Sequence, residues 1–167
     1  MDKKQKRFAA LIDEYSPMLY AQIRSMLLNH EDADDVLQNT FMKAWINLDK
    51  FNENAAMKTW IFRIAVNESL MHLRRRQSKN NRLGITVNND LAQNSRHAVM
   101  PDHDPAKLLE QALTVLTEKQ RLIFGLRYYN NLPYKEISEI TKQKVGTLKA
   151  TYHQATAKIE QYVKQYE

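Results

Sequence analysis

The stretch LPYKEISEITKQKVGTLKATYHQATAKI, residues 132–159, decides how this chain is read. Apolar residues recur at helical spacing on both sides of a break near Lys142–Lys144. The pattern predicts a short helix, a tight turn and a longer helix. On the longer helix, Val145, Leu148, Tyr152, Ala155, Ile159 and Tyr162 form the inner face. The opposite face carries Gly146, Ala150, His153, Gln154, Ala157 and Gln161, flanked by Thr147, Lys149 and Lys158. Small residues let such a face come close to a groove or to another helix. A glutamine can pair with adenine, and a histidine with a base acceptor or a phosphate. A helix-turn-helix over Tyr134–Ile159 is the natural reading. Spacing alone leaves an ordinary helical hairpin open as the alternative.

Upstream, Leu108, Leu109, Ala112, Leu113 and Leu116 line one helical face. Thr117 and Gln120 have capping-box spacing and open the next helix, whose core face continues through Leu122, Ile123 and Leu126. Before this block, residues 78–105 are Asn-rich, polar and without sustained period, which predicts a linker with little fixed structure.

The first block, residues 1–77, is again helical. It is expected to start with a short helix over 5–15. Ser16-Pro17 then serves as N-cap and first helical residue of a second helix reaching Leu28. Asn29 and His30 make a turn, a third helix spans 31–48, KFNENAAMK is a loop, and a fourth helix spans 58–77. The fold class is therefore all-α: two small helical domains, 1–77 and 106–167, joined by the flexible linker 78–105.

The third helix has two faces at 100° per residue. Val36, Leu37, Phe41, Ala44, Trp45 and Leu48 are the expected core side. Asp35, Gln38, Asn39, Met42 and Ile46 lie opposite. A merely solvated face has little need of Met42 and Ile46. They fit either packing inside the domain or docking of a partner helix by apolar anchors with polar neighbours. Asp34 and Asp35 are read as first-turn acids favoured by the helix dipole, with no second ligand group at metal spacing.

Charge changes sign along the chain. Residues 29–53 hold the acids Glu31, Asp32, Asp34, Asp35, Asp49 and Glu53 against Lys43 and Lys50. Residues 58–82 hold Lys58, Arg63, Arg74, Arg75, Arg76, Lys79 and Arg82 against Glu68 alone. Neighbouring segments of opposite sign suggest two different partners. On the basic helix Arg63, Asn67 and Arg74 share a narrow stripe with Trp60 at its edge. Arg and Asn can bond phosphates and base edges, and an aromatic ring can stack on an unpaired base. Cations also favour a helix C-terminus in any protein, and Trp60 also suits a core.

The 167 residues carry a net charge of +6, three glycines, four prolines and no cysteine. Disulfides and thiolate metal sites are excluded. No apolar run reaches the ~18 residues of a membrane span, and MDKKQKRF has no signal-type apolar segment. The expectation is a cytoplasmic chain without membrane insertion, cofactor or metal. No P-loop or Gly-rich loop points to an enzyme. A free-standing helix-turn-helix regulator remains as the competing class; it would bind duplex DNA tightly by itself, usually as a dimer.

Three segments, DADDVLQNTFMKAW (32–45), MKTWIFRIAVNESLMHLRRR (57–76) and the opening stretch (132–159), resemble in order and spacing the extracytoplasmic-function sigma factors of bacterial RNA polymerase. The resemblance covers both blocks and implies sigma region two and sigma region four joined by a linker that passes toward the RNA exit path. It implies a promoter-specificity subunit without catalysis of its own, monomeric when free. Its partners would be core polymerase, at the clamp helices of the largest subunit and at the flap, and promoter DNA, with an anti-sigma protein as a further candidate. It assigns Asp35, Gln38, Asn39, Met42 and Ile46 to polymerase docking. Lys58, Trp60, Arg63, Asn67, Arg74, Arg75 and Arg76 go to the minus-ten element. Lys144, Thr147, Lys149, Ala150, Thr151, His153 and Gln154 go to the minus-thirty-five element.

The chain departs from the family pattern in places. Where the reading helix is usually close to GTVKSRLHRAR, this chain has GTLKATYHQAT, so Thr151, Gln154 and Thr156 replace arginines. The usual Gly and Pro of the turn are Lys142 and Lys144, and a frequent minus-ten Asp is Met71. Lys142 is then expected to adopt a left-handed conformation at a cost of about 1 kcal/mol. Lys142, Lys144, Lys149 and Lys158 are candidates for phosphate contacts.

Overall fold

A long helix needs a start, a stop and a buried stripe, and the first helix has all three. Asp2 accepts a bond from the Gln5 backbone N–H at 2.8 Å, and the Gln5 side chain accepts one from the Asp2 N–H at 3.0 Å, closing a capping box. In this computed structural model, which describes residues 1–52, 56–84 and 104–166, α1 spans Lys3–Leu27 and stops at Leu28 in the left-handed region, φ 64°. The break expected at Ser16-Pro17 does not occur: Pro17 lies inside α1. A mid-helix proline costs ~3 kcal/mol or more. Against it stand Leu11, Tyr15, Leu19, Ile23 and Met26, buried on one face, each contributing ~1.5–3 kcal/mol.

Helix α2 spans His30–Asn47, because the Asn29 side chain accepts the Asp32 N–H at 3.1 Å and caps it. Asn29 and His30 are thus cap and first residue rather than a turn. Asp34 and Asp35 fall in the second turn; Glu31 and Asp32 are the first-turn acids. A short 3-10 turn, Leu48–Lys50, follows. Helix α3 spans Met57–Arg82, more than a turn beyond the end expected at Gln77. It stops where Gly84 takes φ 72° and donates its N–H to the Asn81 carbonyl at 3.2 Å. These three helices pack around Ile23, Val36, Ala44, Ile61, Phe62 and Ala65.

The second block begins with α4, Pro105–Ala112, capped by Asp104 and started by proline at the first position. A 3-10 turn, Leu113–Val115, leads to α5, Glu118–Phe124. The Thr117–Gln120 capping box is present, with bonds of 3.2 and 3.0 Å. A π turn, Gly125–Tyr129, precedes α6, Tyr134–Thr141, and α7, Val145–Lys164. Between α6 and α7, Lys142 adopts φ 61°, ψ 26°, as expected, and its N–H bonds the Ser138 carbonyl at 2.8 Å. The Ser138 hydroxyl donates to the Gln143 carbonyl at 2.6 Å and pins the turn. The described residues are helical throughout, without a strand.

The two blocks share a core. One continuous buried cluster joins Leu19, Ile23, Phe62 and Val66 to Leu122, Ile123, Leu126, Ile137, Ile140 and Leu148. A smaller cluster holds Ala112, Leu113, Leu116, Phe124, Ala155 and Ile159. The helix-turn-helix therefore rests on α3, and α5 with the π turn rests on α1, which the sequence did not foresee. Most of the expected linker, residues 85–103, lies outside the described residues; 78–82 belong to α3.

Candidate docking and DNA-contact surfaces

Helix α2 is anchored on one side and open on the other. Val36 and Ala44 are buried, and the Thr40 hydroxyl donates to the Val36 carbonyl at 2.7 Å, so a threonine sits in the core without an orphan group. Lys43 pairs with Glu68 of α3, which is buried. Asp32 lies 3.5 Å from His72 and 3.7 Å from Arg76. Asp35, Gln38, Asn39, Met42 and Ile46 are all exposed, Met42 at 62% and Ile46 at 64%. Packing inside the domain, the alternative open at the sequence level, does not account for them. Two large apolar side chains on water beside a carboxylate and two amides make a surface suited to a partner helix.

Helix α3 carries its stripe less freely. Asn67, Arg74 and Arg75 are exposed. Trp60 is half-buried, with its ring 5.0 Å from that of Phe51. Arg76 leans toward Asp32. Two basic residues are held by the second block: Lys58 Nζ is 4.0 Å from Glu136, and Arg63 Nη2 donates to the Glu139 carbonyl at 2.8 Å, both on α6. The extra turn of α3 adds a shallow groove lined by Arg74, Gln77, Ser78, Asn81 and Arg82. Sequence reasoning missed Asn81 and Arg82 as part of this surface. The signal that would have included them is Gly84, a glycine placed just after a helical run.

Helix α7 presents Lys144, Thr147, Lys149, Ala150, His153 and Gln154 to solvent. Gly146 has no heavy atom of another element within 4 Å of where a Cβ would stand, so nothing among the described residues crowds that position. Thr151 is a correction. It is buried at 8% exposure, and its hydroxyl donates to the Thr147 carbonyl at 3.0 Å within the helix. It does not reach the outer face. Val145, assigned to the inner face, is 37% exposed, because the turn before it lifts the first residue of α7 off the core. Lys158 is also engaged, donating to Gln120 Oε1 at 3.0 Å, which leaves Lys142, Lys144 and Lys149 as the exposed lysines of this face.

Among the described residues, no group of His, Asp and Glu is arranged to hold a metal ion. None of the described helices is long and apolar enough to cross a membrane.

Comparisons agree with this geometry. Residues 11–79 match the family model Sigma-70 region 2, and residues 106–159 match Sigma-70, region 4. The chain is 29% identical over 161 residues to the ECF RNA polymerase sigma factor SigW of Bacillus subtilis, covering 89% of this chain and 84% of that one. It is 25% identical to the RNA polymerase sigma-H factor of Pseudomonas aeruginosa, covering 93% and 86%. Among solved structures, the sigma factor RpoE of Bartonella quintana in complex with the anti-sigma factor NepR superposes with a TM-score of 0.74 at 24% identity, over 95% of this chain and 98% of that one. CnrH in complex with the cytosolic domain of CnrY gives a TM-score of 0.72 at 21% identity, over 98% and 91%. With both sigma regions matched in order and the helix-turn-helix in its place, the chain belongs to the extracytoplasmic-function sigma factors.

Proposed function

We propose that this chain binds core RNA polymerase through the open face of α2 and directs initiation at promoters with two spaced elements. The observation that carries the reading is that face itself. Met42 and Ile46 stand in water beside Asp35, Gln38 and Asn39, within the residues that match Sigma-70 region 2. Apolar anchors framed by polar groups suit the clamp helices of the polymerase largest subunit.

The stripe on α3 meets the minus-ten element: Arg63, Arg74, Arg75 and Arg76 for phosphates and bases, Asn67 for a base edge, Trp60 for an unstacked base, and Lys58 at the start of the helix. Helix α7 enters the major groove at the minus-thirty-five element. His153 and Gln154 read bases there, Ala150 and Gly146 allow close approach, and Lys144, Thr147 and Lys149 hold phosphates. A good base contact is worth roughly 1–3 kcal/mol, so α7 offers a weak grip by itself. Polymerase makes it sufficient: with both regions held on one enzyme, the second DNA contact becomes intramolecular.

The chain acts as an initiation subunit in the cytoplasm, without a reaction of its own. RpoE was solved with the anti-sigma factor NepR, and a protein of that class is a candidate regulator here. The test is to mix the chain with sigma-free core polymerase and fragmented genomic DNA and map transcript starts. Starts that share two upstream elements at fixed spacing are expected. Stable polymerase binding without shared starts would reject the promoter-directing role.

A further inference from the structure

Helix α1 begins against its own dipole. Its first five residues include Lys3, Lys4, Lys6 and Arg7, and no acid stands in its first turn. The N-terminus of a helix carries partial positive charge and disfavours cations. Asp2, which caps the helix, offsets only part of that charge. Helix stability therefore does not account for four cations at this end. They also lie outside the residues that match Sigma-70 region 2, which begin at position 11.

Two of the four lean on aromatic rings of the first block. Lys4 Nζ stands 3.0 Å from Asp49 Oδ2 and 4.2 Å from the centre of the Trp45 ring. The Arg7 guanidinium stands 5.5 Å from the centre of the Phe51 ring. That ring in turn lies 5.0 Å from Trp60, tilted by 52°. Phe51 thus joins the start of α1 to the start of α3, where the minus-ten stripe begins. Lys3 and Lys6 are exposed, while Phe51 and Trp60 are half-buried and keep part of their surface accessible.

Cations and rings therefore alternate along one edge of the first block: Lys4 on Trp45, Arg7 on Phe51, then Trp60. Positive charge that tracks a backbone, beside rings that accept stacked bases, is the composition that binds single-stranded nucleic acid. A closed duplex keeps its bases stacked and offers a ring nothing. An opened strand offers both phosphates and base faces.

We propose that the start of α1 is a further contact for the opened promoter strand: Lys3 and Lys6 bind phosphates of the strand whose unstacked base meets Trp60. The minus-ten surface then extends from α3 through Phe51 onto α1. The proposal rests on the sigma reading given above.

Lys3→Ala with Lys6→Ala tests it. Both side chains are exposed, and alanine suits a helix, so the fold is expected to stand. The probe is a promoter fragment mapped with the unsubstituted chain and held open across its minus-ten element by non-complementary bases. Its affinity for the complex of full chain and core polymerase is measured against salt. Each phosphate contact on a single strand contributes about 0.7 to the slope of log affinity on log salt. The double variant should therefore flatten that slope by roughly 1.4 and weaken binding at low salt about tenfold. Lys3→Arg with Lys6→Arg should keep the slope of the unsubstituted chain, because the charge is what counts. Polymerase affinity without DNA should stay within twofold.

An unchanged slope on the open fragment overturns the proposal. So does an equal loss with DNA absent, which would place these lysines against the polymerase. The same flattening on a fully paired fragment that stays closed would overturn the single-strand assignment. The unsubstituted chain separates the two ideas. If it yields no promoter-specific starts, the sigma reading fails, and this proposal with it. If it yields them and the slope does not change, this proposal alone fails.

Discussion

Helices α2 and α3 each looked partner-facing on a helical wheel, and they differ once folded. The outer face of α2 meets only water: Asp35, Gln38, Asn39, Met42 and Ile46 are exposed without exception. The stripe on α3 is divided. Asn67 and Arg74 are free, while Lys58 and Arg63 are held by the helix-turn-helix. Polar residues on one side of a helix indicate that the side avoids that helix's own core. They do not say whether it faces solvent, a nucleic acid or another block of the same chain. Arg63 can bond a backbone carbonyl of α6 or a phosphate with the same guanidinium, so its chemistry fits both partners.

The sharpest way to break this comparison is Met42→Ala with Ile46→Ala. If the α2 face is a docking surface, affinity for core polymerase should fall on the order of 100-fold, as for paired interface anchors. Thermal stability should hold, since both side chains stand in water. A fall in Tm with unchanged polymerase affinity would make α2 structural. Binding to a purified clamp fragment reads the first quantity and calorimetry the second.

Gln154→Ala extends the comparison to α7, a third face that is wholly exposed. It should change preference at one or two upstream bases by about tenfold and leave polymerase affinity alone. A library of upstream elements transcribed with equal change at every position would reject the base assignment.

The smallest effect separates the two halves of the α3 stripe. Arg63→Ala removes the bond to the Glu139 carbonyl and should lower folding stability by about 1 kcal/mol. Asn67→Ala, at an exposed position, should stay within ~0.5 kcal/mol. Equal effects in chemical denaturation would show that the contact with α6 does not discriminate between them.

Much of this molecule was legible beforehand. The helix–turn–helix pair of α6 and α7 came from apolar period and a break, its reading as a DNA-binding motif from the family resemblance, the Thr117–Gln120 cap from spacing, and the left-handed Lys142 from the place where the family carries glycine. The open face of α2 came from Met42 and Ile46 appearing where a solvated helix has little use for them. These are local properties: period, capping and backbone preference act over a few residues, and the sequence displays them directly.

The misreadings were also local in form but tertiary in cause. Ser16-Pro17 reads as a helix start, yet α1 continues because its apolar stripe is buried on both sides of the proline. Thr151 sits at a reading position by count, but the rotation of α7 on its core turns it inward. The union of the two blocks was invisible. Gly125 against Gln22 and Ser25, Arg63 against Glu139 and Arg121 against Met26 join residues 76 to 103 positions apart. Each residue has an acceptable local role in isolation. The sequence by itself determined which segments are helices, where one of them is capped and which faces cannot be core. Only the tertiary structure decided which of those faces meet each other, because that choice depends on shape, on the space left by one missing Cβ, and on apolar area summed over distant segments.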